Sequence, residues 1–188
     1  PTANELLIKI KNKDGNSGFG LATSYSDISP IIKPFSNGLA DLIVGEDPFG
    51  PEKIYEKIFK LTDTRISSEK GWSKEALIRI SAALDIACWD LMGKSLNTPL
   101  YKLFGGYRNK VPVYVTCGYY RDGKTETELR EELQKLIKIG HKSFKVKVGG
   151  LSVKEDAQRL EIIRDEIGQD KALMIDVNRA WDLKTAIE

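Results

Sequence analysis

Apolar and polar residues alternate from Leu6 to Lys11, the period of two that sends successive side chains to opposite faces of a strand. The KDGNSG that follows supplies turn residues before a second short run, and together they predict a β-hairpin. The hairpin opens abruptly after Pro1, so an element in front of it is expected. Over residues 51–61 and 73–96 the period becomes helical. In the second segment Ala76, Ile80, Ala83, Leu84, Ala87 and Leu91 fall on one stripe, with Ser73 placed to cap it. A short helix over 99–104 is expected to end at Gly105 and Gly106, which suit a C-cap and a linker.

Beyond that glycine pair, strand and helix alternate regularly. Strands are expected at 111–118, 143–149 and 171–178, helices at 125–140 and 152–168, and the start of a third helix at 181. Strands about thirty residues apart with one helix between them are βα units, which pair in parallel through right-handed crossovers. The predicted class is α/β: residues 1–108 form an α+β domain of hairpin and helices, and residues 109–188 form the first three units of a (β/α)8 TIM-like barrel. A closed barrel takes eight units and about 250 residues, so this second domain is expected to be incomplete.

The strand SFKVKVG places Lys145 and Lys147 on one face and Phe144, Val146 and Val148 on the other. The same parity one strand later pairs Asp176 with Asn178, and Ile175 with Val177. Two amines, a carboxylate and an amide are therefore expected to converge at the C-terminal ends of adjacent parallel strands, where β/α barrels keep their chemistry. KVK in an alternating strand also fits a solvated face, but an interior strand of a parallel sheet is covered on both sides. An isolated lysine, with a pKa near 10.4, is a poor base at neutral pH. A second cation or a divalent metal nearby disfavours the charged form and brings the pKa down. Asp176 is a hard oxygen ligand of the kind Mg2+ prefers, although one carboxylate does not complete a site. This chemistry is abstraction of a proton next to a carboxylate by lysine, with a metal stabilising the enediolate.

Composition narrows the alternatives. The 188 residues are 41% hydrophobic, enough for a core, and their net charge of +2 is spread without a basic block, so no nucleic-acid partner is expected. No apolar run approaches the ~20 residues needed to cross a bilayer, and the N-terminus lacks the order of a signal peptide. No membrane partner is expected, and a cytoplasmic location follows by default. Cys88 and Cys117 stand in unrelated contexts, without metal-ligand spacing. Gly149 and Gly150 lack the surrounding pattern of a phosphate loop and read as a strand-to-helix turn. Cys88 and Trp89 read as packing residues, and Asp85 and Asp90 as hydrogen-bonded polar positions on the same helix.

KVKVG, followed by EDAQRL and IRDEIG and then by LMIDVNRAW, resembles the enolase superfamily, in particular the mandelate racemase and muconate lactonizing enzyme group. SAALDIACWDLMGKSLNTPLYKLFGG is similar to that group's capping-domain helix and its run into the barrel. The resemblance implies a capping domain over 1–108 and a catalytic barrel from 109 onward. It makes Lys147 the general base, Lys145 the partner that lowers its pKa and helps bind the substrate carboxylate, and Asp176 the first of three Mg2+ carboxylate ligands. By the same resemblance Asn178 contacts the substrate or supports the site, and Thr116 lies near the substrate at the end of the first barrel strand. Tyr119, Tyr120 and Arg121 follow in a loop that could touch a polar substrate. The single histidine, His141, enters the second barrel strand from its N-terminal side, so a structural role is expected for it. A histidine or lysine on the opposite side of the substrate, and the other two metal ligands, are implied beyond Glu188.

The implied function is Mg2+-dependent proton abstraction α to a carboxylate, as in dehydration of an acid sugar such as an aldonate or aldarate. Racemisation or epimerisation, and cycloisomerisation, are the alternatives within the superfamily. A small carboxylate substrate and homo-oligomeric assembly are the partner expectations. A reading of another class is a truncated, non-catalytic subunit with a structural or assembly role, since three strands leave unpaired edges.

Overall fold

The computed structural model describes residues 3–187, which divide into two compact units, one running to Asn109 and the other starting at Lys110. In the first, β1 (Asn4–Lys11) and β2 (Ser17–Ser24) form an antiparallel hairpin. Asn12 closes its turn by accepting the Asn16 N–H on its side-chain oxygen at 2.9 Å. The helices are α1 (Ser29–Pro34), α2 (Ala40–Ile43), α3 (Pro51–Phe59), α4 (Arg65–Lys70), α5 (Lys74–Ser95) and α6 (Leu100–Leu103). Of these, α1, α2 and α4 are not predicted from the sequence, because each is too short to show a 3.6-residue period. Ser73 caps α5 by accepting the Ala76 N–H at 3.1 Å, as its position predicts. At the other end of the unit, Gly105 and Gly106 take left-handed φ values of 106° and 62° and close α6.

The stripe on α5 is the centre of this core. Ala76, Leu77, Ile80, Ala83 and Leu84 are buried with Ile8 and Ala22 of the hairpin and Ile54 and Ile58 of α3. β2 lies so close to α5 that a Cβ on Gly18 would fall 2.0 Å from the Ala87 carbonyl oxygen, and one on Gly20 would fall 1.8 Å from that of Ala83. Asp90 anchors the same seam by accepting the Phe19 N–H at 2.8 Å and the Lys94 ammonium at 2.6 Å. Gly20→Ala must therefore push strand from helix, and overpacking of this kind costs roughly 3 kcal/mol. A urea midpoint for Gly20→Ala indistinguishable from wild type would contradict this close approach.

The second unit is a parallel sheet in the order β3 (Val115–Cys117), β4 (Ser143–Lys147), β5 (Ala172–Asp176). It is crossed by α7 (Glu126–Ile139) and α8 (Val153–Ile167), and α9 (Leu183–Ile187) follows β5. Both long helices start in capping boxes, Thr125 with Glu128 and Ser152 with Glu155. Gly140 ends α7 in a left-handed conformation at φ 104°. Phe144 and Val146 are fully buried, packed with Cys117, Leu129, Leu133, Ile163 and Ile167 under the two helices. Burying a side chain such as Phe144 contributes about 2 kcal/mol.

All three strands are shorter than expected, β4 ending at Lys147 rather than at 149. Residues 111–114 are not in the sheet: Val111 and Val113 are 68% and 70% exposed, and β3 begins only where β4 lies beside it. β5 stops at Asp176 because the chain then turns, with Asn178 and Arg179 both at positive φ. Among the described residues no helix is long and apolar enough to cross a membrane.

Candidate active site

The parallel register builds the site row by row. Thr116, Lys145 and Met174 align across the sheet, and Lys147 aligns with Asp176 one row nearer the C-terminal ends. Because paired residues share a face, burial of Phe144 and Val146 under the helices turns both lysines to the opposite side, together with Thr116 and Asp176. There the Lys147 and Lys145 ammoniums lie 2.8 Å and 3.3 Å from the same oxygen, Oδ2 of Asp176. The three side chains are only 18%, 24% and 28% exposed, respectively.

Asn178 reaches this cluster by a route that strand parity does not describe. Its φ of 47° puts it in a left-handed turn, which asparagine tolerates better than most residues. From there its N–H donates to Asp176 Oδ1 at 3.1 Å, while its side-chain oxygen accepts from Lys147 at 3.1 Å. It therefore holds the carboxylate and the amine together.

The electrostatics follow from these contacts. The Lys147 ammonium, and then the Asn178 N–H, hold the Asp176 carboxyl down at about 2. Lys145 is shifted upward, chiefly by its hydrogen bond to the Tyr114 hydroxyl at 3.3 Å and further by Asp176, against the opposing effect of burial. From the sequence, Lys145 is expected to act as the second cation that lowers the pKa of Lys147; Lys145 itself is held in its charged form by the phenol and the carboxylate.

Because the folded value of Asp176 lies below its ordinary 3.8, the ionised carboxylate stabilises the fold above about pH 4, and that contribution is lost as pH falls toward about 2. A 13Cγ titration of Asp176 is expected to show a midpoint near 2. A midpoint at the ordinary carboxylate value would mean that the lysines do not engage it.

A divalent cation that prefers oxygen would find one suitable ligand here, the Asp176 carboxylate, whose oxygens can accept more than the present donors. Among the described residues no group of three or more His, Cys, Asp or Glu side chains converges. The donor set thus fits one corner of such a site.

Three further residues in this neighbourhood support the cluster. Tyr114 sits beneath Lys145, whose ammonium is 4.9 Å from the ring centroid. Its spacing of two from Thr116 signals a shared face. Asp156 is 1% exposed and accepts the Gly149 N–H at 2.7 Å and the Tyr120 hydroxyl. Arg159 donates to the Lys147 carbonyl at 2.8 Å and to that of Gly118. The apolar stripe Leu160, Ile163, Ile167 of α8, extended back one turn, lands on Asp156, and a carboxylate at a core position was the available signal. In the loop after β3, Tyr120 has its hydroxyl engaged by Asp156, whereas Tyr119 is exposed and Arg121 pairs with Glu128 at the surface. His141 lies in the turn entering β4, at the end of the strand away from the cluster.

Comparison with known proteins follows the same division of the chain. Residues 2–105 match the family model of the mandelate racemase / muconate lactonizing enzyme N-terminal domain, and residues 128–188 match that of the enolase C-terminal domain-like family. Arabinonate dehydratase of Saccharolobus solfataricus is 34% identical over 96% of this chain and 47% of its own length. N-succinyl-L-Arg/Lys racemase of Bacillus cereus is 31% identical over 94% of the chain and 45% of its own length. The crystal structure of L-talarate/galactarate dehydratase from Salmonella typhimurium LT2, liganded with Mg and L-lyxarohydroxamate, superposes with a TM-score of 0.82 at 31% identity, over 98% of this chain and 46% of that one. The chain thus spans about half the length of the curated relatives it matches. With a family model covering more than half of its residues, the chain belongs to the mandelate racemase / muconate lactonizing enzyme group of the enolase superfamily.

Proposed function

We propose that this chain carries the front half of an enzyme that removes the proton α to a carboxylate, with residues 1–108 as its capping domain and 109–188 as the first three units of its (β/α)8 barrel. The observation that carries the proposal is the meeting of Lys147, Lys145 and Asp176 on one face at the C-terminal ends of parallel strands. Lys147 is the general base. To act, its amine must be free of a proton and turned from Asp176 toward the substrate carbon, and Asn178 offers the neutral contact that remains beside it. Lys145 stays cationic, held by Tyr114, and suits attraction of the substrate carboxylate. Thr116, in line with Lys145, contributes a hydroxyl to the same face.

Asp176 would hold a Mg2+ ion as one of its oxygen ligands. When bound, the ion supplies positive charge against the negative charge that develops on the substrate's carboxylate as the proton leaves. The remaining ligands, and the group that handles the proton on the other face of the substrate, are additional to the residues described.

The substrate class we favour is an acid sugar, an aldonate or aldarate, undergoing dehydration. Two of the relatives named above are dehydratases of such acids, and the polar loop after β3 is compatible with a hydroxylated ligand. The racemase relative supports a second reading, in which the proton returns to the same carbon. Incubating the full-length protein and Mg2+ with a panel of aldonates and aldarates separates them. A dehydratase yields a 2-keto acid that semicarbazide traps, whereas a racemase leaves composition unchanged and alters optical rotation. Absence of both, together with no exchange of α-protons with solvent deuterium, would reject the enzymatic proposal in favour of a structural subunit.

A further inference from the structure

Arg159 and Asp156, neighbours on one turn of α8, tie together the chain ends that surround Lys147. Arg159 reaches the Lys147 carbonyl at 2.8 Å with one arm of its guanidinium and the Gly118 carbonyl with the other. Its guanidinium carbon lies 4.4 Å from the centre of the Tyr120 ring. The Tyr120 hydroxyl and the Gly149 N–H both donate to the buried Asp156. Gly150 completes the arrangement, because a Cβ there would come within 2.7 Å of the Tyr120 ring. The backbone at and just after Lys147 is thereby fastened to the end of β3 and to the first turns of α8.

We propose that Arg159 is a positioning residue for Lys147: its forked guanidinium fixes the backbone from which the Lys147 amine reaches Asp176 and Asn178. The proposal rests on the reading of Lys147 as the base. The planar fork spans two carbonyls at once, which a lysine ammonium on a flexible stem cannot do with the same geometry. A small displacement of a reacting group is enough to slow a reaction by about 10²-fold.

The test uses the full-length protein with Arg159→Lys, which keeps the charge and loses the fork. Deuterium uptake by backbone amides is followed in the segment 143–150 and in the helices on either side, and kcat and KM for α-proton exchange are measured separately. The expected result is an approximately tenfold faster uptake confined to that segment, with kcat lowered about 10–100-fold and KM within about threefold of wild type. Tyr120→Phe, which removes the phenol bond to Asp156, is expected to move both readouts in the same direction by less, and it serves if Arg159→Lys does not fold. Unchanged uptake in 143–150, or faster uptake with unchanged kcat, overturns the proposal. If the wild-type protein exchanges no α-proton at all, it is the reading of Lys147 as a base that fails. The clamp is then judged by uptake alone, which must still accelerate locally in the variants.

Discussion

Replacing Lys147 by alanine is expected to slow Mg2+-dependent exchange of the substrate α-proton by about 10²–10⁴-fold, the range that a positioned acid–base group contributes. The expectation follows from placement. Lys147 is the last residue of the central strand of the sheet, directly opposite Asp176 in register, and its side chain is less exposed than that of Lys145. No neighbouring amine can take over without moving, because Lys145 is one row back in the sheet and bonded to Tyr114. Lys145→Ala is therefore expected to act differently, raising KM more than it lowers kcat. Comparing exchange rates in deuterium oxide for the two variants checks both statements. Wild-type exchange in Lys147→Ala would sink the assignment of the base.

Asp156→Ala is expected to cost about 3 kcal/mol of stability. The alanine leaves the Gly149 N–H and the Tyr120 hydroxyl without their acceptor in a place that water scarcely reaches, since Asp156 is 1% exposed. It also removes a nearby counter-charge from Arg159, 3.9 Å away. Thermal or urea unfolding of Asp156→Ala compared with Asp156→Asn provides the check. The amide retains an acceptor oxygen and is expected to recover part of the loss. A variant within about 0.5 kcal/mol of wild type would show that the turn after β4 does not depend on this carboxylate.

What could be read from the sequence, and what could not, divides along a physical line. The long periodic elements, α5, α7, α8 and the alternating β4, announce themselves because many residues repeat one spacing. The two lysines and Asp176 were legible for the same reason: in a parallel sheet, strand parity carries directly into space. Asn178 was legible as a neighbour but not in its geometry, since a left-handed turn, rather than an extended strand, delivers it to Lys147. Tyr114, Asp156 and Arg159 depend on contacts spanning 31, 7 and 12 residues, respectively, and no local period reports contacts of that kind. The upward shift of Lys145 has its first cause in the Tyr114 hydroxyl, which a reading of one strand does not bring to it.

The two glycines of β2 have a consequence for how the first unit assembles. Gly18 and Gly20 face Ala87 and Ala83 across the seam and stand opposite Ile10 and Ile8 within the hairpin. Two residues of strand advance about 6.8 Å and four residues of helix about 6 Å, so the two backbones mesh at nearly matched intervals. Sliding the strand by one position would bring Phe19 or Leu21 to points where a hydrogen atom is all that fits. The seam therefore works as a keyway: the hairpin can seat against the helix in one alignment only.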